Sequence, residues 1–417
     1  MATITEKAPL RVCRACKAPL TRSFIDLGMS PLSNSFRKPG TASSIERFYP
    51  LHAFVCSQCY LVQLEEFETP EEIFTDYAYF SSFSKSWLEH CEQYTTMMVE
   101  RFSLNGKSLV VELASNDGYL LQYFMARGIP VLGIEPASNV AQVARTKGIP
   151  TESVFFGTET AKILAEQGRY ADVIVGNNVL AHVPNVNDFV AGMKILLKPS
   201  GVLTMEFPHL VQLMQHKQFD TIYHEHFSYF SFTTAVEVFA RHGLTLFDVE
   251  ELPTHGGSLR IYGKHQEYTG LPSTKRTEDL LRREAAFGVN NLQTYSEFTE
   301  HINALKRDIL STLIELKRDS KQIVGYGAPA KGNTLLNFCG IRTDFLDYTV
   351  DRSPHKQGLL LPGTHIPIYA PEKITETRPD YVFILPWNLK EEIMEQMSSI
   401  RSWGGKFIVP IPRVEIC

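Results

Sequence analysis

Two clusters of side chains in this 417-residue sequence are spaced for chemistry. The first is a cysteine quartet, Cys13-x-x-Cys16 and Cys56-x-x-Cys59, with 39 residues between the pairs. Two thiolates three positions apart on a tight knuckle can face one metal ion, and two such knuckles complete a closed tetrahedral zinc shell. A closed shell leaves no place for water, so the expected role is structural. Cys91, Cys339 and Cys417 lack such spacing and are read as non-functional. The second cluster is Asp220-Thr221-Ile222-Tyr223-His224-Glu225-His226, which puts a tyrosine, a glutamate and two histidines in four consecutive positions. It lacks the HExxH spacing of a catalytic zinc site, so its chemistry is proton transfer. His255-Gly256-Gly257-Ser258 is a further candidate, because two glycines after a histidine let the backbone pass close to a ligand.

A third set of residues reads as a nucleoside cofactor site. Val110 to Gly118 runs from an apolar strand into a turn of small residues, with Glu112, Ala114, Asn116, Gly118 and Tyr119 in place to approach a cofactor. Ala114 stands where a glycine is usual. Glu135, followed by Pro136, ends the next strand 23 residues after Glu112. An acid at that point can accept hydrogen bonds from both ribose hydroxyls of an adenosine. Asn177 and Asn178 open a third loop, which runs on to His182. The order and spacing predict binding of S-adenosylmethionine (SAM) in a methyltransferase domain.

The surrounding sequence must hold these groups in place. Apolar residues make up 44% and charged residues 21% of the chain, with a formal net charge of −5. That balance suits a globular protein and gives no basic run for nucleic acid. No apolar run would span a bilayer and no secretory leader is visible, so the expectation is a cytoplasmic protein with reduced thiols. Residues 1–85 read as a loop-rich zinc-binding domain. Residues 86–250 alternate strand and helix, which predicts a Rossmann-like, doubly wound parallel sheet. Residues 251–417 read as a second, smaller Rossmann-like α/β domain, whose strands follow an amphipathic helical stretch over 277–318 with Phe298, Ile302, Leu305, Ile309, Leu313 and Leu316 on one face.

In that last domain, Gly325-Tyr326-Gly327-Ala328-Pro329-Ala330 follows a strand, and Asp351 ends the next one. Taken alone, this G-x-G-x-x-A turn is a dinucleotide fingerprint and supports a rival reading, an NAD(P)-dependent oxidoreductase or bifunctional enzyme. Backbone N–H groups at a helix start suit a sugar-linked diphosphate equally well.

The quartet, the Ser115–Gly118 turn, the Tyr-His-Glu-His-Phe loop, His255-Gly-Gly and Gly325-Tyr-Gly-Ala-x-Ala-Lys331 occur together in one order. In this the chain resembles the SAM-dependent sugar C-methyltransferases that act on nucleotide-linked 4-keto-6-deoxyhexoses. The resemblance covers nearly the whole chain. It implies an α/β protein of three domains, binding zinc, SAM and a nucleotide sugar in turn. It implies catalytic roles for Tyr223, Glu225, His226 and His182, with a tyrosine of the N-terminal domain falling on Tyr79 or, less closely, on Tyr77. Tyr77, His224, His255, Gly256, Gly327, Lys331 and Asn333 are the residues it points to around the sugar nucleotide. His224 stands where relatives carry an aspartate.

Overall fold

The computed structural model describes residues 11–40, 45–69, 81–83 and 85–417. Tyr77 and Tyr79 lie outside the described residues. Three sheets organise the chain, of four, seven and six strands.

The first sheet belongs to the zinc-binding segment, which is less loop-like than its sequence suggests. β1 (Arg22–Ser30), β2 (Tyr49–Val55) and β3 (Val62–Leu64) form an antiparallel meander. The register of β1 against β2 shifts twice, between Ser23 and Ile25 and between Asp26 and Met29. These irregularities break the two-residue alternation by which a half-buried strand is recognised. The fourth strand comes from far along the chain. β9 (Ser228–Tyr229) pairs antiparallel with β3, and Leu64 N–H donates to Phe227 O at 3.0 Å. The Tyr-His-Glu-His loop therefore runs directly into the edge of the zinc domain's sheet.

The second sheet contains β4 (Val110–Leu113), β5 (Val131–Ile134), β6 (Thr151–Glu152), β7 (Ala171–Asn177), β8 (Leu197–Pro208), β10 (Leu244–Leu252) and β11 (Ser258–His265). Their order is β10-β11-β8-β7-β4-β5-β6. Only β11 runs against its neighbours. The apolar runs seen in the sequence are these strands, buried on both faces as central parallel strands must be. The chain leaves β4 toward β5 and β6 on one side and returns to β7 and β8 on the other. The crevice at the carboxyl ends of β4 and β7 is therefore the topological switch point, where ligands bind in open α/β sheets. The domain boundary expected after residue 250 falls inside the β10–β11 hairpin, whose eight paired residues keep β11 in this sheet.

The third sheet is Rossmann-like, in the order β14-β13-β12-β15-β16-β17, made from β12 (Ile323–Tyr326), β13 (Thr349–Val350), β14 (Ile368–Tyr369), β15 (Tyr381–Ile384), β16 (Lys406–Val409) and β17 (Glu415–Ile416). The helical stretch before it is two helices, Lys275–Phe287 and Leu292–Arg318, separated by Gly288 in the left-handed conformation that ends helices (φ 96°). The 27-residue second helix buries Tyr295, Phe298, Ile302, Leu305, Ile309 and Leu313. Its Phe298 stacks on Phe24 of β1 at 4.8 Å, and its Thr299 hydroxyl donates to Phe24 O at 2.9 Å. This helix straps the first sheet to the third, and one continuous core runs through both. Among the described residues, no helix is long and apolar enough to cross a membrane.

Candidate active site

The crevice at β4 and β5 is built from backbone held in unusual conformations. Ala114 and Asn116 sit at φ 57° and 49°, and Gly118 at 78°. The positive φ of Gly118 is one that glycine adopts freely, and a β-carbon there would also press on the Ile149 side chain. The turn is clasped by Glu135, whose Oε2 accepts from Asn116 N–H at 2.9 Å and whose Oε1 accepts from Ala137 N–H at 2.8 Å. Each carboxylate oxygen keeps a lone pair for a further donor. Across the crevice, the buried carboxamide oxygen of Asn178 has no partner among the described residues. An open acidic pair opposite an unfilled acceptor, over a turn of small residues, fits the ribose and amino-acid ends of SAM. Glu112, next to last in β4, is fully buried, and burial raises its carboxyl well above the usual range, with the Tyr119 hydroxyl against it.

Ala114 holds the left-handed conformation that a glycine would adopt freely. That conformation costs an L-residue about 1–2 kcal/mol, part of which glycine gives back through its freer unfolded chain. Ala114→Gly is therefore expected to raise the melting temperature by about 2 °C with SAM affinity retained, measured by calorimetry with and without SAM.

The Tyr-His-Glu-His loop presents its groups at the neighbouring part of the same crevice. His226 Nδ1 lies 2.9 Å from Thr221 O, a carbonyl that can only accept. The proton of the neutral imidazole is therefore on Nδ1, and Nε2 carries the lone pair. Nε2 in turn accepts from the Tyr223 hydroxyl at 2.8 Å. Burial first, and then His182, whose ring lies 4.6 Å away, keep His226 well below the ordinary histidine pKa. His226 thus rests as a neutral free base. Burial lowers His182 to about 4, and its side chain is held at the Glu225 backbone. Tyr223, His226 and His182 all retain some solvent access although protein surrounds them, as residues lining a cleft do.

Glu225 is buried and accepts from Asn34 Nδ2 at 2.7 Å. Burial pushes its carboxyl up to about 7. An unfolded glutamate titrates near 4.3. Ionising the buried group therefore opposes folding. The penalty is absent below pH ~4, grows between about 4 and 7, and is complete above about 7 at up to roughly 3 kcal/mol. Glu225→Gln is expected to raise the denaturant midpoint at pH 8, leave it unchanged at pH 4, and lower activity at both.

The other two parts of the chain reach the same cleft. His255, at the tip of the β10–β11 hairpin, has φ 54° and is followed by Gly256 at 90° and Gly257 at 117°. A β-carbon on Gly256 would lie 2.9 Å from both Trp387 Cη2 and Gln218 Nε2. His255 Nε2 is 3.0 Å from Asn178 Nδ2, and burial lowers the ring to about 4 even though it remains accessible from the cleft. The hairpin tip is pinned by Thr254, whose hydroxyl donates to Glu206 Oε1 at 2.9 Å. Lys331, in the first turn of helix Ala330–Cys339, lies 4.6 Å over the Trp387 ring and 2.5 Å from Asn388 Oδ1. Burial lowers its ammonium pKa, and Asp220 partly offsets this. Trp387 Nε1–H donates to Asp220 Oδ2 at 2.7 Å, and burial pushes Asp220 up to about 6. Gly327, at φ 92°, starts the turn after β12, where Asp351 accepts from Ala328 N–H at 2.7 Å and from Ser353 N–H at 2.8 Å.

Two expected substrate residues point elsewhere. His224 is buried against the first sheet, with Nε2 donating to Pro50 O at 3.2 Å and the ring edge-on to Tyr49 and Phe67. His224 takes the zinc-domain side of the loop, while Tyr223 and His226 meet each other on the cleft side. Asn333 is buried and donates from Nδ2 to Ser33 O at 2.6 Å, so it ties two domains together. The sequence reading also missed Asn34, Trp387 and Trp87, and it named Asp220 in the cluster without giving it a partner. The Trp87 ring stands 5.5 Å from His255 and 6.1 Å from Tyr119. Single residues in loops carry no periodicity that would single them out.

The four quartet sulfurs lie within 4.8 Å of one another, with Cys13–Cys59 at 3.5 Å and Cys16–Cys56 at 3.4 Å. A tetrahedron with zinc–sulfur bonds of about 2.3 Å has edges of about 3.8 Å, so the shell fits zinc. The knuckles dock on the loop after His182. Asn187 Nδ2 donates to Arg14 O at 2.9 Å and Ala15 O at 3.0 Å, and Arg14 donates to Pro184 O at 2.8 Å.

The sequence has relatives among known proteins. Residues 13–74 match a zinc binding domain, residues 88–249 a methyltransferase domain, and residues 253–412 a C-methyltransferase C-terminal domain. C-methyltransferase NovU of Streptomyces niveus is 33% identical over 410 residues, covering 98% of this chain and 97% of that protein. A ubiquinone biosynthesis O-methyltransferase of Pasteurella multocida is 33% identical over 112 residues, 24% of this chain and 46% of that one. Among solved structures, a SAM-dependent methyltransferase from Clostridium acetobutylicum aligns with a TM-score of 0.34 at 10% identity, over 43% of this chain and 92% of that one. Matched over nearly its whole length, the chain belongs to the C-methyltransferase family, as a SAM-dependent enzyme with a cysteine zinc site.

Proposed function

We propose that this enzyme methylates the carbon beside the ketone, C3, of a nucleotide-linked 4-keto-deoxysugar. The observation that carries the reading is the fixed tautomer of His226, with its one basic nitrogen capped by the Tyr223 hydroxyl next to the switch-point crevice. Carbon becomes nucleophilic here only after losing a proton, and the C4 ketone acidifies the C3 hydrogen. The C3–H bond breaks, its electron pair moves into the enolate, and the proton passes to Nε2 of His226, directly or through the Tyr223 hydroxyl. The growing negative charge on the C4 oxygen offsets the burial that otherwise disfavours imidazolium. His182, whose ring lies beside His226, answers that charge. SAM, when bound, supplies the electrophilic methyl group, and the Glu135 clasp and the Asn178 carboxamide orient it toward the carbanion. Glu225 orients the loop. The turn at Gly327 and Lys331 suits the substrate's diphosphate. The NovU likeness supports a carbon acceptor.

Incubation with SAM and a panel of TDP-, GDP- and CDP-linked 4-keto sugars, read by mass, tests the reading. One sugar is expected to gain a single methyl, and to exchange its C3 hydrogen with deuterated solvent when SAM is withheld. No methyl gain on any member would sink it. Native exchange rates in both Tyr223→Phe and His226→Asn would remove the base assignment.

A further inference from the structure

Asn34 lies in the zinc domain, in the loop after β1, and its side chain is exposed. Its Nδ2 donates to Glu225 Oε1 at 2.7 Å, the one hydrogen bond among the described residues that reaches this buried carboxyl. The amide nitrogen faces Glu225 and the amide oxygen faces away from it, the orientation that the ionised carboxylate, which only accepts, requires. Adjacent residues of helix Ala330–Cys339 fix both sides of this contact. Asn333 holds Ser33 O at 2.6 Å, and the Thr334 hydroxyl donates to Ile222 O at 3.0 Å. Ser33, Asn333 and Thr334 are all buried. The Asn34 loop and the Tyr223–His226 loop therefore have a set separation, and Asn34 Oδ1 is an acceptor with a fixed direction and no partner among the described residues.

We propose that Asn34 is a specificity-determining residue: its carboxamide oxygen accepts a hydrogen bond from a hydroxyl or amino group on the substrate's sugar ring. The bond to Glu225 takes one of the two amide N–H groups and removes the amide's freedom to turn, so the oxygen keeps one direction, away from Glu225. A ring carbon that bears a hydroxyl or amine at this point is favoured over one that is deoxygenated. The zinc domain thereby takes part in choosing the substrate. This rests on the sugar reading above.

The test uses the full-length zinc-loaded enzyme and the sugar methylated in the panel, paired with an analogue lacking the ring hydroxyl or amine. The wild type is expected to prefer the donor-bearing sugar by roughly tenfold in kcat/KM. Asn34→Ala is expected to raise KM for that sugar about as much and to erase the preference, with SAM affinity unchanged in a calorimetric titration. Asn34→Asp keeps an acceptor oxygen and is expected to retain the preference while kcat falls. Every such pair is compared, so an Asn34→Ala variant that keeps the wild-type preference for each of them overturns the proposal. Failure of the sugar reading shows separately, because the wild type then methylates no panel member.

Discussion

His226→Asn is expected to lower kcat by roughly 10²–10⁴-fold and to abolish solvent exchange at C3 of the substrate, while SAM still binds with near-native affinity. The asparagine amide can stand where Nδ1 stands and keep the donation to Thr221 O, so the loop retains its anchor. What disappears is Nε2, the lone pair that the Tyr223 hydroxyl caps. Tyr223→Phe should cost less, because Nε2 survives and only the relay hydroxyl is gone. The exchange measurement separates a missing base from a displaced donor, since it proceeds without SAM. An H226N enzyme that exchanges C3 hydrogen at the native rate would place the base elsewhere.

Removing the metal is expected to have an equally large effect. One zinc per chain should be found by elemental analysis, and Cys59→Ser or exhaustive chelation should end activity altogether. Structural zinc contributes an apparent ~10–16 kcal/mol in small domains at neutral pH, which matches or exceeds the whole stability of a typical domain. Cys13, Cys56 and Cys59 are buried, so an empty shell leaves three thiols crowded in the interior. The damage spreads because the knuckles hold Pro184 and Asn187, which follow His182, and because the Thr234 hydroxyl donates to Cys59 O at 3.0 Å. SAM binding at the β4–β5 crevice should outlast activity during chelation, and zinc added back should restore turnover. Full activity in metal-free protein would refute a structural role.

The parts of this architecture that the sequence displayed are those with a repeating physical signature. β4, β5, β7 and β8 are buried on both faces and read as apolar runs, and the long strapping helix reads as a stripe every three or four residues. The zinc quartet and the Tyr-His-Glu-His cluster were legible because their chemistry depends on close sequence spacing. β1 was hidden by its two register shifts. Asn34, Trp387 and the partner of Asp220 were hidden for a different reason. The Asn34–Glu225 and Asp220–Trp387 bonds join residues 191 and 167 positions apart, and nothing local marks either end. Ala114 shows the opposite case, where the departure from glycine was visible but the backbone kept the glycine-like conformation.

The pairing of β9 with β3 also bears on synthesis and truncation. During translation, β1–β3 emerge more than 160 residues before the strand that covers their edge. Until then, the Val62–Leu64 edge presents unpaired backbone groups, which invite another copy of the chain. An isolated N-terminal fragment, even with its zinc, should therefore self-associate through that edge. A peptide spanning Tyr223–Tyr229 should compete with this self-association. The nascent enzyme meets the same hazard at each round of translation, and the hazard ends only when the segment bearing His226 arrives.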